Sequence, residues 1–451
     1  MAGERHSWHF GVMSFTGTGH LNSLILLAQQ LKSRGHKVTF FEKPKIEKRV
    51  LQAGLEFFPI EKGGPSRKHD KTQLTNASLR TQLSTIQFNL RRIKGDLQTY
   101  LLETPEALRQ RGVNVLLVNE IALTGPTVAE LAGLPHIIVS TSVPHHFGWS
   151  DFPWLSGYKY SSSYFSWLET TLFEVSALRM RGPIKRALDH HRRALGLGPV
   201  RTGRKLFPEL AHITQLPQCL DHRRSRLPAT FHYTGPWANQ AARPHVEFPW
   251  DTLDGRPILY ASLGTTRNVQ AFIFRLVAEA CQEFDLQLVI SLGGRFDPEM
   301  FPDLPGNPLV TKYAPQLELI QRATLVITHG GPNTVFEALM QGKPMVAIPL
   351  AHDQPAVAAR LARLGIAEVL PVMRLSAEKI QRAVSNVLTD PAYRQAAVAI
   401  QAELRSLHGL DRAANLIEEA LERHAAGRTN GLTPEIAGRA HVFAENSPAL
   451  R

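Results

Sequence analysis

Short apolar runs alternate along this chain with longer stretches of helical period. Trp8 to Ser14 (WHFGVMS) reads as a strand, and a turn, Thr16-Gly17-Thr18-Gly19-His20, follows it. From about Leu21 to Ser33 the apolar residues Leu24, Leu27, Ala28 and Leu31 share one face at helical spacing. Gly35 ends that helix, and Lys37 to Phe41 is the next strand. A strand, a helix and a strand in that order build a parallel, doubly wound sheet. Val113 to Val118 (VNVLLV) and Ile137 to Ser140 extend it, with a helix through Val128 to Ala132 between them.

The design repeats further on. Ile258 to Leu263 is a strand, Gly264-Thr265-Thr266 opens a helix near Val269 to Cys281, and Leu286 to Ser291 and Pro308 to Thr311 are further strands. Ala323 to Thr328 (ATLVIT) has the β-branched run of a buried parallel strand. It ends in His329-Gly330-Gly331, where backbone can come close to a ligand. Pro332 suits the first position of a helix, and Asn333 and Thr334 place short polar side chains in its first turn. The helix continues to Gln341, Gly342 stops it, and Met345 to Leu350 is the next strand. A glycine turn and a helix N-terminus at the C-terminal end of a parallel strand is the usual seat of an anion.

Between the two halves, Pro236 to Pro257 repeats Pro, Trp, Asp and Gly without period and reads as a linker. The expected organisation is an α/β domain over 1–235, the linker over 236–257 and a second α/β domain over 258–426. That second domain includes a last helix, Ala413 to His424. A polar tail over 427–451 is expected to be disordered. Glu61 to Lys71 is polar and is expected to be a mobile loop.

The length of 451 residues suits two domains, and 43% hydrophobic with 20% charged residues describes a soluble globular protein. Two cysteines, Cys219 and Cys281, indicate no disulfide framework and fit a reducing cytoplasm. Neither a signal peptide nor a membrane-spanning run is visible. The net charge is +12, with basic clusters at Lys43–Arg49, Lys185–Arg193, Arg201–Lys205 and Arg223–Arg226, all in the first half. A solvated surface with attraction for a nucleotide diphosphate accounts for this charge, and contact with an anionic membrane is the second reading. No motif for nucleic acid accompanies it, so nucleic acid is not an expected partner.

The candidate chemistry lies in Thr311 to Gln354. Tyr313-Ala314-Pro315-Gln316, then Thr328-His329 with Gly331, Asn333, Thr334 and Glu337, then Gly342 with Pro344, and finally Asp353-Gln354 are fixed in order and spacing. This stretch resembles the donor-binding signature of the family 1 UDP-glycosyltransferases, and so many matches in one stretch are a specific signal. Each residue alone has an ordinary reading: Glu337 a solvated helix face, His329 a core histidine, Asp353 a loop cap.

The resemblance implies the GT-B architecture, two Rossmann-like domains facing across a cleft. It implies that Tyr313 stacks on uracil in place of the family's more usual Trp, that Gln316 contacts the nucleoside, and that Glu337 holds the ribose hydroxyls. His329, Gly331, Asn333 and Thr334 would surround the diphosphate, Ser262, Gly264 and Thr265 would approach it from the other side, and Asp353 and Gln354 would hold the sugar. Gly19-His20 matches the family's G-H pair, which makes His20 the catalytic base. The family's Asp that orients this His is replaced here by Asn119, with Glu120 beside it. Asn can orient an imidazole but cannot stabilise its charged form, so support from Asn119 or from Glu120 is left open, with Glu120→Gln expected to lower turnover more than Asn119→Ala.

The implied reaction is inverting transfer of a hexose, glucose first, from a UDP-sugar to a hydroxyl, with no metal because no D-x-D pair is present. The family builds its acceptor site in the first half. There, Phe147 to Phe173 is dense in aromatic residues, Trp149, Phe152, Trp154 and Tyr158 among them, which suggests a lipophilic acceptor. The pattern around Asp353-Gln354-Pro355-Ala356 is similar to bacterial carotenoid (zeaxanthin-type) and macrolide-type transferases. Two other classes stay open. Gly17-x-Gly19 with Glu42 resembles an incomplete dinucleotide fingerprint, hence an NAD-dependent oxidoreductase; a non-catalytic UDP-sugar or lipid carrier is the other.

Overall fold

The computed structural model describes residues 6–15, 17–60, 97–144, 182–200, 208, 210–222, 224, 227–237, 246–265, 271–294, 296–351 and 353–429. The loop expected at Glu61 to Lys71, the aromatic segment Phe147 to Phe173 and most of the tail lie outside them.

Two parallel sheets organise the chain. The first runs β3(Glu56–Pro59), β2(Lys37–Glu42), β1(His9–Met13), β4(Val115–Asn119), β5(His136–Ser140), β6(Ala211–Thr214), β7(Phe231–Tyr233). The second runs β10(Leu309–Thr311), β9(Gln287–Ser291), β8(Ile258–Ser262), β11(Ala323–Thr328), β12(Met345–Ala347), β13(Ala367–Val369). Central strands such as β1, β4, β8 and β9 are buried along their whole length, as expected when helices cover both faces. In each sheet the order reverses direction beside the first strand, between β1 and β4 and between β8 and β11. A crevice opens there beyond the strand ends. Both domains are Rossmann-like, and the architecture is the α/β one expected from the strand–helix alternation.

Boundaries differ where local chemistry decided them. The first helix spans Thr18–Ser33 and begins three residues earlier than its apolar rhythm, because extended Gly17 caps it. Gly19 and His20 therefore sit in the first helical turn and not in a loop. β4 starts two residues later than expected and ends one residue later, on Asn119. β6 and β7, too short to show a period, escaped the sequence reading.

The helix Gly409–Thr429 returns to the first sheet: Ala413, Ala414, Ile417 and Leu421 pack with Phe10, Leu24 and Leu27. Arg34, which caps the C-terminal end of the first helix, bonds Asp411 and Glu418, and His36 bonds Glu418 at 3.0 Å. The last helix thus straps the two halves together.

Candidate active site

The strand ends of the two sheets face one another, and polar side chains bridge them. Asn333, in the first turn of the helix Pro332–Met340, donates from Nδ2 to the Gly19 carbonyl at 2.8 Å. Its Oδ1 accepts from Ser23 Oγ at 3.2 Å and from Gln215 Nε2 at 3.1 Å. Gln215, which follows β6, also donates to the Thr141 carbonyl. Asn333 was expected at the diphosphate; in this structure its amide is committed to the first domain, next to His20. Ser142 Oγ donates to Asp353 across the same gap.

His20 is half-buried, its ring edge-on to Phe15 at 5.5 Å between centroids. Its Nδ1 lies 2.6 Å from Thr141 Oγ1. Asn119 donates from Nδ2 to the same oxygen at 3.1 Å, while its Oδ1 accepts from the Ile121 backbone. Glu120 turns elsewhere. It accepts from Ser140 Oγ, which in turn meets His212 Nε2 at 2.6 Å. The side chain that reaches His20, through Thr141, is therefore Asn119. The alternation of a strand explains this: neighbours in sequence point to opposite faces.

On the donor side, His329 follows β11 between two glycines. A Cβ on Gly331 would stand 2.3 Å from its Nε2, and one on Gly264 2.6 Å, with Gly264 at φ +77°. Side chains there would displace the ring. Removal from water pushes His329 down to about 4, against the opposing pull of Asp353 and a backbone hydrogen bond with Ser262. The ring is neutral at physiological pH, and its buried Nδ1 has no hydrogen-bond partner among the described residues. A neutral imidazole and a helix N-terminus beside two glycines suit a diphosphate. Ser262 ends β8 and is buried, whereas Thr265 is exposed.

Tyr313 is 53% exposed, and its hydroxyl end lies so close to Gly294 that no Cβ would fit. An open ring at the rim is what a stacking platform requires, and Ala314 packs behind it against the core. Gln316 begins the next helix, accepts from Tyr260 at 3.3 Å and donates to Glu337 Oε2 at 2.6 Å and to Thr334 Oγ1 at 3.4 Å. Glu337 is 6% exposed, so an amide orients its carboxylate. Glu337→Ala is expected to weaken UDP binding by about 1.5–3 kcal/mol, the range for a hydrogen bond to a charged group. Equal affinity of both forms by calorimetry would return Glu337 to a structural role. Gln354 departs from the expected sugar contact: its Oε1 accepts from Leu350 and Ala351 N–H at 2.8 Å each, leaving only its NH₂ to offer.

Glu42 bears on the dinucleotide reading. It is 1% exposed, with Oε1 accepting from Ser14 N–H and Oε2 from Lys43 N–H and Tyr100. Burial raises it to about 7 against those bonds. A carboxylate so enclosed does not hold a ribose.

Comparison with known proteins gives the same assignment. The model of UDP-glucoronosyl and UDP-glucosyl transferases matches residues 211–429, and that of the glycosyltransferase family 28 N-terminal domain matches residues 12–129. The two models and the relatives below support a family 1 UDP-glycosyltransferase. It is 29% identical to a zeaxanthin glucosyltransferase of Pantoea ananas, over 92% of this chain and 96% of that one. It is 25% identical to the NDP-glycosyltransferase YjiC of Bacillus subtilis, over 93% and 98%. Among solved structures, the calicheamicin glycosyltransferase CalG4 superposes with a TM-score of 0.70 at 22% identity, covering 93% of this chain and 99% of that one, which shows the fold as GT-B. The enzyme is thus a glycosyltransferase that moves sugar from a nucleotide-sugar donor to an acceptor.

Sequence reading missed Thr141, Ser142 and Gln215 of this transferase. Each follows a parallel strand at its C-terminal end, and that position was the available signal.

Proposed function

We propose that this transferase moves a hexosyl group, glucose first, from a UDP-sugar to the hydroxyl of a lipophilic small molecule, with inversion and without a metal. The observation that carries the reading is the placement of His20 on one wall of the cleft. Opposite it stands the helix N-terminus at Pro332, with its neutral His329 and glycines. His20 takes the proton as the acceptor oxygen attacks the anomeric carbon. The bond to the diphosphate breaks, and its charge is received by the helix dipole and by groups fixed before reaction. Glu337 and Gln316 hold the nucleoside beside Tyr313, and Asp353 faces the sugar.

The acceptor class rests on the relative named a zeaxanthin glucosyltransferase and on the aromatic density of Phe147 to Phe173, which lies outside the described residues. The charge of +12 supports a cytoplasmic enzyme in peripheral contact with anionic membrane. Among the described residues no helix is long and apolar enough to cross a membrane.

One assay tests the reading. The enzyme is incubated with UDP-glucose and either a hydroxylated carotenoid or a simple sugar, with and without excess chelator. Products are identified by mass spectrometry and the anomeric configuration by NMR. The expected result is a β-glucoside of the carotenoid, formed equally with chelator, and vesicle co-sedimentation at low salt that high salt weakens. Preference for the simple sugar rejects the lipophilic acceptor, an α-product rejects inversion, loss on chelation rejects metal independence, and absent vesicle binding rejects membrane contact.

A further inference from the structure

The bonds around His20 are informative because the family's carboxylate is replaced there by an amide. Asn119 is fixed in orientation. The Ile121 N–H donates to its Oδ1 at 3.1 Å, so Nδ2 faces Thr141 and donates to it. Thr141 is 4% exposed and is held from behind, its carbonyl accepting from buried Gln215. Glu120 accepts from Ser140 and Asp353 accepts from Ser142. What meets His20 Nδ1 is a hydroxyl polarised by an amide.

We propose that Thr141 is a positioning residue that sets the tautomer of His20, with Asn119 steering it, so that a neutral His–Thr–Asn relay supports the base. The proposal rests on reading His20 as the base. For Nε2 to receive the acceptor's proton, the resting ring must carry its hydrogen on Nδ1. Thr141 Oγ1 must then accept from Nδ1–H. A hydroxyl oxygen has two acceptor positions: Asn119 fills one and His20 the other. During reaction the proton passes from the acceptor hydroxyl to Nε2, the oxygen pair forms the bond to the anomeric carbon, and the bond from that carbon to the diphosphate breaks with its electron pair leaving on the diphosphate, while the Nδ1–H···Oγ1 bond persists. No carboxylate in the relay neutralises the resulting imidazolium. The rate therefore depends strongly on the acidity of the acceptor hydroxyl.

Variants of the full chain test this, with kcat followed against pH and against acceptors of graded acidity. Thr141→Val keeps the branched shape and is expected to lower kcat about 10-fold or more, with the donor KM changed less than about twofold. Thr141→Ser is expected to restore most of that loss. Asn119→Asp keeps the Ile121 contact and supplies a carboxylate that accepts from Thr141 O–H. It is expected to move the acid limb of the profile up by about one pH unit and to flatten the dependence on acceptor acidity. Ring ¹⁵N shifts of His20 are expected to show the hydrogen on Nδ1. Wild-type kcat in Thr141→Val, an unmoved profile in Asn119→Asp, or a hydrogen on Nε2 each overturns the relay; the last two decide even if Thr141→Val does not fold. Failure of the base assignment itself is distinguishable, because His20→Ala would then keep its turnover.

Discussion

His20→Ala is expected to lower turnover by about 10²–10⁴, the range for a lost general base, while UDP affinity changes little. The separation of the two effects follows from the fold. His20 rides on the first helix of the first domain and is fixed by Thr141 of the same sheet. The proposed donor groups Tyr313, Gln316, His329 and Glu337 belong to the second. The loss is about 3–5 kcal/mol in the barrier and none of it in nucleoside contacts. Turnover on the preferred acceptor and calorimetry with UDP check both halves. Near-normal turnover sinks the assignment. A parallel fall in UDP affinity would mean instead that the ring supports the clasp between Gly19 and Asn333.

Most of the fold was legible because long parallel strands and amphipathic helices announce themselves by period. The donor stretch was legible for a different reason: its residues are close in sequence because one strand, one turn and one helix carry them. The proposed base was legible through Gly19-His20. Its support was not. Whether Asn119 or Glu120 serves His20 depends on which face of β4 each occupies and on how far the strand runs, and the strand ends one residue later than its apolar core suggested. Thr141 and Gln215 come from β5 and β6, distant in sequence, so only tertiary assembly joins them to His20. Asn333 shows the same limit from the other side. Its place in the motif implied a phosphate contact, and in the structure its amide bonds Gly19, Ser23 and Gln215. The ranking that follows is that Asn119→Ala lowers turnover more than Glu120→Gln.

Asp221→Asn is expected to be among the most destabilising single substitutions in the chain, by about 3–5 kcal/mol. Asp221 follows β6 in the first domain and is 1% exposed. Its Oδ2 accepts from Arg224 Nε at 2.5 Å and from Tyr233 OH at 2.9 Å, and its Oδ1 accepts from Arg360 at 2.9 Å across the domain boundary. Burial opposes its charge, but the two guanidinium groups outweigh that and hold the carboxyl at about 2. The contribution is therefore fully present above about pH 4 and is lost only as pH falls through about 2. The surroundings are already over-supplied with positive charge: burial and the guanidinium groups of Arg360 and Arg363 depress neighbouring His222 to about 3. Without Asp221, two buried cations lose an anion they share. Arg360→Met removes one cation and leaves Asp221 paired with Arg224, so it is expected to cost less. Arg360 lies on the helix that begins at Gln354, directly after Asp353, so Asp221→Asn also frees the sugar-side helix from the first domain and raises the donor KM. Urea midpoints and donor KM of the two variants check the ranking. If Arg360→Met is as damaging as Asp221→Asn, the cluster acts through packing of the arginine stem and not through charge.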